Sequence, residues 1–389
     1  MSASAFAPLE EDEGVVLFRR SVERFLAEVA PPDAIERWRD QKHVDKAAWR
    51  RAGEAGLLGV SVPEIYGGGG GDFRHEAAIV EAVGHRGADA FAISLHNAVV
   101  LPYVASFGTE EQKRGWLPKL CSGEAIAAIA MTEPGAGSDL QGMRMTARRD
   151  GEGYRLSGQK TFISNGQIAD FILVAAKTDP AAGSRGLSIF AVEPDVAGPG
   201  FQRGRNLDKV GQEGQDTSEL FFDDLFVPPE NLLGGEPGKG LAQLMTKLPQ
   251  ERLVIAWQCV AMMERAIDET LSYVVGREMF GQRLIDFQNT QFRLAEFKTE
   301  ATIARVFVTH CTALLLQERL DAATASMAKY WTSDLLSKVV DGCLQLFGGY
   351  GYMTEYPIGR MYRDSRIHRI YGGSNEVMKL LIGRSLLSA

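Results

Sequence analysis

Hydrophobic residues recur at three- and four-residue steps at the start of the chain, as on one face of a helix. The first such stripe consists of Val15, Phe18, Val22, Phe25, Leu26 and Val29. The prolines Pro31 and Pro32 end this predicted helix. Helical periodicity, interrupted by a glycine-rich turn at 67–71, continues to about Gly123. The pattern predicts an N-terminal helical domain over residues 1–124.

The hydrophobic period shortens after about residue 125. Short β-branched or aromatic segments, each bounded by Gly, Asp or Pro, lie at 154–156, 171–175, 187–192 and 220–222. No helix-length segment separates them, so the spacing favours an antiparallel sheet over βαβ units. It predicts a middle antiparallel β domain over residues 125–235.

Long helical periods return after Pro237-Gly238 and are broken near Gly348-Gly349 and Gly372-Gly373. They predict a C-terminal helical bundle over residues 236–389. The expected fold class is therefore α+β and multidomain, in the order helical, β, helical.

Charge and composition exclude several classes of protein. The net charge is −8 and no cluster of Lys and Arg stands out, which argues against nucleic-acid binding. The sequence contains no run of about 18 uncharged apolar residues, so no membrane span is predicted. The acidic stretch Glu10–Glu13 lacks the basic start of a targeting peptide, so a cytoplasmic protein is expected.

The cysteines Cys121, Cys259, Cys311 and Cys343 are widely spaced in apolar surroundings, which is typical of free core thiols. There is no CxxC pair and no HExxH segment. A metal site is therefore not expected.

A loop of small residues spans Met131 to Asp139, with the sequence MTEPGAGSD. Its N–H groups and hydroxyls could approach a flat or phosphorylated ligand closely. Taken alone, a glycine-rich loop is equally a surface turn between the helices and the sheet. All nine residues, however, resemble the flavin-binding segment of the acyl-CoA dehydrogenase family.

Further segments resemble the same family in the same order along nearly the whole chain. They are GVSVPE at 59–64 with YGG at 66–68, KTFISNG at 160–166, REMFG at 277–281 followed by Gln288, QLFGGYG at 345–351 and IYGGS at 370–374. The resemblance implies an FAD-dependent acyl-CoA dehydrogenase that places an α,β double bond in a fatty-acyl thioester.

The resemblance also implies roles for residues near the flavin ring. Thr132 would hydrogen-bond the ring at its pyrimidine side, and Met131 would also contact the cofactor. Ser164 would serve the N5 region, where the family commonly has Thr. Phe162 stands where the family usually has Trp and would pack against the ring. Ser138 would contact both FAD and the CoA part of the substrate. Read alone, Phe162 is equally a core residue of the sheet.

A second group implied by the resemblance would hold the adenosine and pyrophosphate of FAD: Arg277, Phe280, Gln288, Gln345, Gly348 and Gly349. In this family some of these residues come from a neighbouring subunit, so a homotetramer is implied. Ser374 and Glu376 would complete the flavin site near Tyr371. Read alone, Arg277 belongs to a solvated helix face.

The catalytic base departs from the commonest family pattern. Many members have Glu directly after the Tyr of the last segment, but here that position is Gly372. A subset, including long-chain and isovaleryl-type enzymes, carries the Glu on another helix. The segment LPQERL at 248–253 resembles that subset, most closely its long-chain members, and makes Glu251 the candidate. On local rules alone, Pro249 suits a first helical position, which would make Glu251 an ordinary first-turn acid.

The mechanism implied by the resemblance combines this base with a main-chain donor. The Gly372 N–H and a ribityl hydroxyl of FAD would polarise the thioester carbonyl. Glu251 would take the α proton, with its pKa raised once substrate excludes water. Arg252 would steer the site electrostatically, and Tyr371 and Gly373 would line the substrate. Electrons would pass to an electron-transfer flavoprotein.

Two other functions stay open at this point. One is a non-catalytic acyl-CoA- or flavin-binding homologue, which the absence of Glu at position 372 would suit. The other is an oxygen-using acyl-CoA oxidase, although oxidases usually carry an additional C-terminal domain.

Overall fold

The computed structural model describes residues 13–387, so the acidic residues at 10–12 lie outside the described range. The first part of the described chain is helical, with α1 (Glu13–Val29), α2 (Pro32–Gln41), α3 (Lys46–Glu54), α4 (Phe73–Arg86), α5 (Leu101–Phe107) and α6 (Glu110–Cys121). The predicted first helix is confirmed. It buries Val15, Val22, Phe25, Leu26 and Val29.

Capping residues fix where two of these helices begin. Asp72 accepts a hydrogen bond from the Arg74 N–H at the start of α4. Thr109 and Gln112 form a reciprocal capping box at the start of α6. Both arrangements satisfy backbone N–H groups that have no partner inside the helix.

The middle of the chain forms a sheet from β1 (Ala127–Ala130), β2 (Thr146–Asp150), β3 (Gly153–Ser164), β4 (Phe171–Lys177), β5 (Leu187–Val192), β6 (Phe201–Asn206) and β7 (Thr217–Val227). Its order is β1-β4-β2-β3-β7-β6, with β5 also paired to β4. The four predicted strand segments lie in β3, β4, β5 and β7. Most pairs are antiparallel, as predicted, but β1 and β2 each pair with β4 in parallel. The strand pattern did not predict β1, β2 or β6.

The rest of the described chain is mainly helical: α7 (Gly240–Gly276), a small ribbon of β8 (Glu278–Met279) and β9 (Gln282–Arg283), α8 (Gln288–Leu316), α9 (Ala322–Phe347), α10 (Pro357–Ser365) and α11 (Asn375–Leu386). Their largest core cluster joins α7, α8 and α9 with residues of α4. The predicted order helical, β, helical is confirmed. The exact domain boundaries stay predictions.

Pro249 does not begin a helix. It lies inside α7, whose first residue is Gly240. Glu251 is therefore a mid-helix residue, and the alternative that made it an ordinary first-turn acid is wrong. The local rule failed because tertiary packing tolerates a proline that lacks one helical N–H.

Two predictions from composition can be compared with the structure. All four cysteines are buried and free, as predicted. Across residues 13–387, no helix combines the length and the apolar character that crossing a membrane requires.

Candidate active site

A cavity of about 410 Å³ lies where the three parts of the chain meet. The N-terminal region contributes Asp89, Phe91, Ser94 and Leu95, and the sheet region contributes Phe162, Ser164, Leu207 and Thr217. The C-terminal region contributes Gln258, Arg363, His368, Ile370 and Tyr371. Segments that are far apart in the sequence therefore share one pocket.

The loop at 131–139 and the end of β3 are held together by a buried ion pair. Lys160 Nζ lies 2.9 Å from both Glu133 Oε1 and the Met131 carbonyl oxygen. The Glu133 carboxylate also accepts the backbone N–H groups of Arg144 and Met145. Burial lowers the pKa of Lys160 to about 8, and the charge of Glu133 opposes that fall. The pair fixes the loop beside the strand that carries Phe162 and Ser164.

The residues predicted for the flavin ring lie around this junction. The Thr132 carbonyl accepts the Thr161 N–H at 2.9 Å, which sets Thr132 next to β3. Ser138 is exposed on the loop. Phe162 is 67% exposed and has a φ of 60°, so the alternative that placed it in the sheet core is wrong. An exposed aromatic ring at the mouth of a cavity offers a surface for a flat ligand.

Glu251 lies on the face of α7 that is directed toward the loop containing Gly372. Residues four and seven positions later share that face. At the first of them, Ile255, the Cδ1 atom lies 2.3 Å from where a Cβ on Gly372 would stand. At the second, Gln258 lines the cavity and accepts the hydroxyl of Tyr371 at 2.9 Å. The helix therefore aligns Glu251 with the Gly372 loop.

The Glu251 side chain is 7% exposed. Burial raises the pKa of its carboxyl to about 7. A hydrogen bond from Tyr103 and the positive charges of Arg252 and Lys247 act in the opposite direction. A carboxyl with a pKa near neutrality suits proton transfer from carbon at physiological pH. The substrate is not required for this shift, because the protein itself already buries the group.

Gly372 has a φ of 63° and Gly373 a φ of 92°, conformations that glycine adopts without strain. Lys329 anchors the loop, since its Nζ donates to the Gly373 carbonyl at 2.7 Å and to Asn375 Oδ1 at 3.0 Å. Within residues 13–387, the N–H of Gly372 donates no hydrogen bond. It is therefore available to a ligand carbonyl.

Arg252, predicted near the substrate, and Ser374 and Glu376, predicted to complete the flavin site, have different surroundings. Arg252 is buried, and its Nη1 lies 3.3 Å from Ser326 Oγ on α9. Its Nε has no partner among the described residues. Ser374 caps α11, and Glu376 is exposed in the first turn of that helix. Hydrogen bonds from its own N–H and from Ser374 lower the pKa of Glu376, so it is a weaker base than Glu251.

The residues predicted for the adenosine end form a separate, exposed group. The Arg277 guanidinium lies 5.6 Å from the centre of the Tyr350 ring, which brings the end of α7 to the turn after α9. Phe280 is 87% exposed. Gln288, Gln345, Gly348 and Gly349 are also exposed. Among the described residues, no hydrogen bond or ring contact links this group to Thr132, Phe162 or Ser164.

Comparison with known proteins agrees with the fold and with these segments. The profiles of the acyl-CoA dehydrogenase N-terminal, middle and C-terminal domains match residues 12–124, 128–225 and 238–387. The chain belongs to the acyl-CoA dehydrogenase family. The members of this family are flavoprotein oxidoreductases.

The chain is similar to several members of this family. It is 45% identical to the mitochondrial long-chain specific acyl-CoA dehydrogenase of Sus scrofa, over 95% of this chain and 86% of the relative. It is 37% identical to the mitochondrial isovaleryl-CoA dehydrogenase of Pongo abelii, over 94% and 87%. The crystal structure of an acyl-CoA dehydrogenase from Geobacillus kaustophilus superposes with a TM-score of 0.95 at 46% identity, covering 98% of this chain and 100% of that chain.

In this acyl-CoA dehydrogenase fold, a loop of the β domain closes one side of the cavity. The Gln212 N–H donates to Asp364, and Glu213 pairs with both Arg363 and Arg39. Gly211 lies directly on the main chain of Arg363, where a Cβ would come within 2.6 Å of the carbonyl. The contacts of residues 211–213 could not be predicted from the local sequence, because they are made with α2 and α10, which are distant along the chain.

Three side chains outside the cavity, Glu81, His85 and Glu264, lie close enough together to hold a metal ion. Both carboxylates, however, already bind a guanidinium. Arg305 Nε lies 2.6 Å from Glu264 Oε1, and its Nη2 lies 2.5 Å from Glu81 Oε1. A metal ion could bind here only if Arg305 first left both carboxylates.

Other residues near Glu251 and the 131–139 loop could not be identified from the local sequence, with one exception. Tyr103 donates a 2.6 Å hydrogen bond to Glu251 from a position 148 residues away, and nothing local to Tyr103 indicates this contact. The partnership of Glu133 with Lys160 could have been predicted. Both residues lie in the quoted flavin segments, and buried opposite charges are usually paired.

Proposed function

We propose that this protein is an FAD-dependent acyl-CoA dehydrogenase that converts a fatty, long-chain or branched acyl-CoA to the trans-2-enoyl-CoA. The main support is the buried Glu251 carboxyl, which shares a face of α7 with Ile255, next to Gly372, and with Gln258, which lines the cavity. Family membership gives the reaction class. The position of this carboxyl supports Glu251 as the base in a chain that has glycine at the position where the family most often carries the catalytic glutamate.

The residues present fit FAD. The ring would be held by Met131, Thr132, Ser138, Phe162 and Ser164. The Phe162 side chain is exposed in the protein alone, and the flavin ring would cover it. The adenosine and pyrophosphate would be held by Arg277, Phe280, Gln288, Gln345, Gly348 and Gly349. A Cβ on either of the last two glycines would meet no atom within 4 Å, so space is open for a ligand at this end. Ser374 and Glu376 would complete the site.

The exposed adenosine end also supports a homotetramer. Phe280 and Tyr352 are large aromatic side chains with exposed fractions of 87% and 86%. Aromatic rings this exposed are typical of surfaces that a ligand or another subunit covers. A neighbouring subunit would then complete each FAD site, in a symmetric assembly.

The reaction removes one proton and one hydride from the acyl chain. The Gly372 N–H donates a hydrogen bond to the thioester carbonyl, which makes the α C–H more acidic. The Glu251 carboxylate accepts the α proton, and the electron pair left behind forms the new α,β double bond as the β hydrogen leaves as hydride. When bound, FAD supplies the acceptor for that hydride. Tyr371 and Gly373 border the acyl thioester, and Arg252 adds positive charge beside the base.

The natural partners follow from this chemistry. The substrate is an acyl-CoA, and the reduced enzyme is expected to pass its electrons to an electron-transfer flavoprotein. If air instead restores the flavin colour with formation of peroxide, the protein is an acyl-CoA oxidase. If acyl-CoA binds without bleaching the flavin, it is a non-catalytic homologue.

The decisive test is anaerobic titration of the FAD-loaded protein with acyl-CoAs of graded length and branching. Bleaching of the flavin band is expected for the wild type. Glu251→Gln keeps the size of the side chain but cannot accept a proton, so flavin reduction should fall by roughly 10²–10⁴-fold or more. Glu269→Gln is the matched control, because it makes the same change at a partly exposed position nearer the other end of α7. A normal rate in Glu251→Gln would refute the base assignment, and Glu376 would be tested next.

A further inference from the structure

The Glu251 carboxyl is held by a phenol from another domain. Tyr103 Oη donates to Glu251 Oε1 at 2.6 Å, and the Tyr103 side chain is 0% exposed. We propose that Tyr103 is a positioning residue that holds the Glu251 carboxylate in the orientation needed to accept the α proton. This inference rests on the proposed function, in which Glu251 is the base.

The hydrogen bond from Tyr103 makes the two carboxylate oxygens of Glu251 different. Oε1 is engaged by Tyr103, whereas Oε2 accepts no hydrogen bond within residues 13–387. One oxygen is thus fixed and the other is free to receive a proton. A carboxylate with a single fixed oxygen has less rotational freedom, which places its free oxygen more accurately for reaction.

The Tyr103 side chain is itself rigidly placed. A wide π-helical turn at Leu95–Val100 precedes α5 and sets the direction from which Tyr103 approaches α7. The Gln250 side chain donates to the Ala98 carbonyl of this turn at 2.8 Å, one residue before the base. The Tyr103 ring also packs on the Phe107 ring at 6.1 Å. The Gln250–Ala98 hydrogen bond therefore ties α7 to the turn that precedes α5, next to the Tyr103–Glu251 contact.

The same contact affects the acidity of the base. The groups that act on the Glu251 carboxyl are Tyr103 from α5 and Lys247 and Arg252 from α7. Burial raises the pKa of Glu251 to about 7, and the hydrogen bond from Tyr103 opposes this rise. Burial also raises the pKa of Tyr103, so its hydroxyl stays a neutral donor. Removal of the hydroxyl should therefore raise the pKa of Glu251 further.

Tyr103→Phe removes the hydroxyl and keeps the ring. Only ionised Glu251 can accept the α proton, so the rate of flavin reduction rises as pH passes through the pKa of Glu251. A hydrogen bond to a charged group is strong enough to shift this midpoint by about one pH unit or more. We expect the midpoint in Tyr103→Phe to move to higher pH by that amount. We also expect the plateau rate to fall by about 10-fold as the carboxylate loses its fixed orientation.

The matched control is Tyr66→Phe. Tyr66 is a buried tyrosine of the same domain, and its hydroxyl donates to Glu110 of α6 at 2.9 Å rather than to a residue of α7. The assay is anaerobic stopped-flow reduction of the FAD-loaded enzyme by acyl-CoA between about pH 5 and 9, which brackets the raised pKa. Tyr66→Phe should keep the wild-type midpoint. Tyr103→Met, a second variant without the hydroxyl, should reproduce the shift of Tyr103→Phe.

A double variant separates positioning of the base from simple packing. In a Glu251→Gln background there is no carboxylate to orient, so adding Tyr103→Phe should leave the residual rate unchanged. A further loss in that background, or a wild-type midpoint in both Tyr103 variants, would overturn the proposal for Tyr103 alone. Normal flavin reduction in Glu251→Gln by itself would instead refute the proposed base, so the two failures are distinguishable.

Discussion

Position 372 offers a direct test of how the base and the Gly372 loop face each other. If Glu251 and a carboxylate at 372 address the same α carbon, Gly372→Glu should restore part of the activity lost in Glu251→Ala. The structure shows two obstacles. A side chain at 372 must adopt a φ of 63°, and its Cβ would stand 2.3 Å from Ile255 Cδ1.

The magnitude of each obstacle can be worked out. The left-handed conformation costs roughly 1–2 kcal/mol for a residue other than glycine. The contact with Ile255 depends on one methyl group, because the next atom of Ile255, Cγ1, is 3.8 Å from the same Cβ position and makes an ordinary contact. Ile255→Val removes that methyl at a cost of about 0.5–1.5 kcal/mol. The valine should therefore leave room for the Cβ of the new side chain.

We expect Gly372→Glu to lower the free energy of unfolding by more than its conformational cost of roughly 1–2 kcal/mol. The loss should be smaller when Gly372→Glu is introduced into an Ile255→Val background. In flavin reduction, Glu251→Ala/Gly372→Glu should be weakly active, and the triple variant with Ile255→Val should be faster. Denaturant unfolding and anaerobic bleaching by acyl-CoA measure the two quantities.

Two outcomes would refute this reasoning. If Gly372→Glu is equally destabilising in the wild-type and Ile255→Val backgrounds, the predicted close approach does not limit the site. If the triple variant is no faster than Glu251→Ala, positions 251 and 372 do not face the same carbon atom. Gly372→Glu with Glu251 intact should be slower than the wild type, because two adjacent carboxylates raise each other's pKa.

Three further predictions concern the cofactor, the assembly and the flavin loop. Acid precipitation should release all FAD into the supernatant, since the cysteines are buried and free; flavin in the pellet would contradict this. Light scattering should give about four subunits, and FAD should be lost when they dissociate. Arg277→Ala should weaken the retention of FAD. A monomer with full FAD content would exclude an FAD site shared between subunits. Lys160→Met should lower the free energy of unfolding by about 3–5 kcal/mol, because it leaves the buried Glu133 carboxylate without its ion-pair partner. Arg293→Met is the control: it breaks an exposed ion pair with Glu296 and should change the free energy of unfolding by less than about 1 kcal/mol.

Two kinds of element could be predicted from the sequence: helices whose hydrophobic repeat continues over many residues, and strands that are buried. The first helix repeats its apolar residues over 17 residues, and the buried strands β4 and β5 are almost entirely apolar. The strand β6 (FQRGRN) could not be predicted, because it is short, polar and partly exposed. The helical period after Pro237-Gly238 correctly predicted α7, whereas the local rule for Pro249 suggested a later start, because proline inside a helix is tolerated through packing that lies outside the local sequence.

The chemistry of the site divides in the same way. The flavin segments and the candidate Glu251 were identified from residues that are contiguous in the chain, where resemblance to a family can be read directly. The raised pKa of Glu251 depends on burial, and burial depends on α5, which lies far away in sequence. Local sequence determines which groups can ionise, but the environment that shifts their pKa is assembled only on folding.

The sequence by itself determined the order of helical and β regions and the positions of the groups proposed to bind flavin and move a proton. Tertiary structure decided which of those groups meet. It placed Tyr103 on Glu251, Ile255 against Gly372, and Lys160 on Glu133 of the 131–139 loop. The physical reason is that periodicity and propensity act over a few turns of chain, whereas these contacts depend on how three separately patterned regions pack against one another.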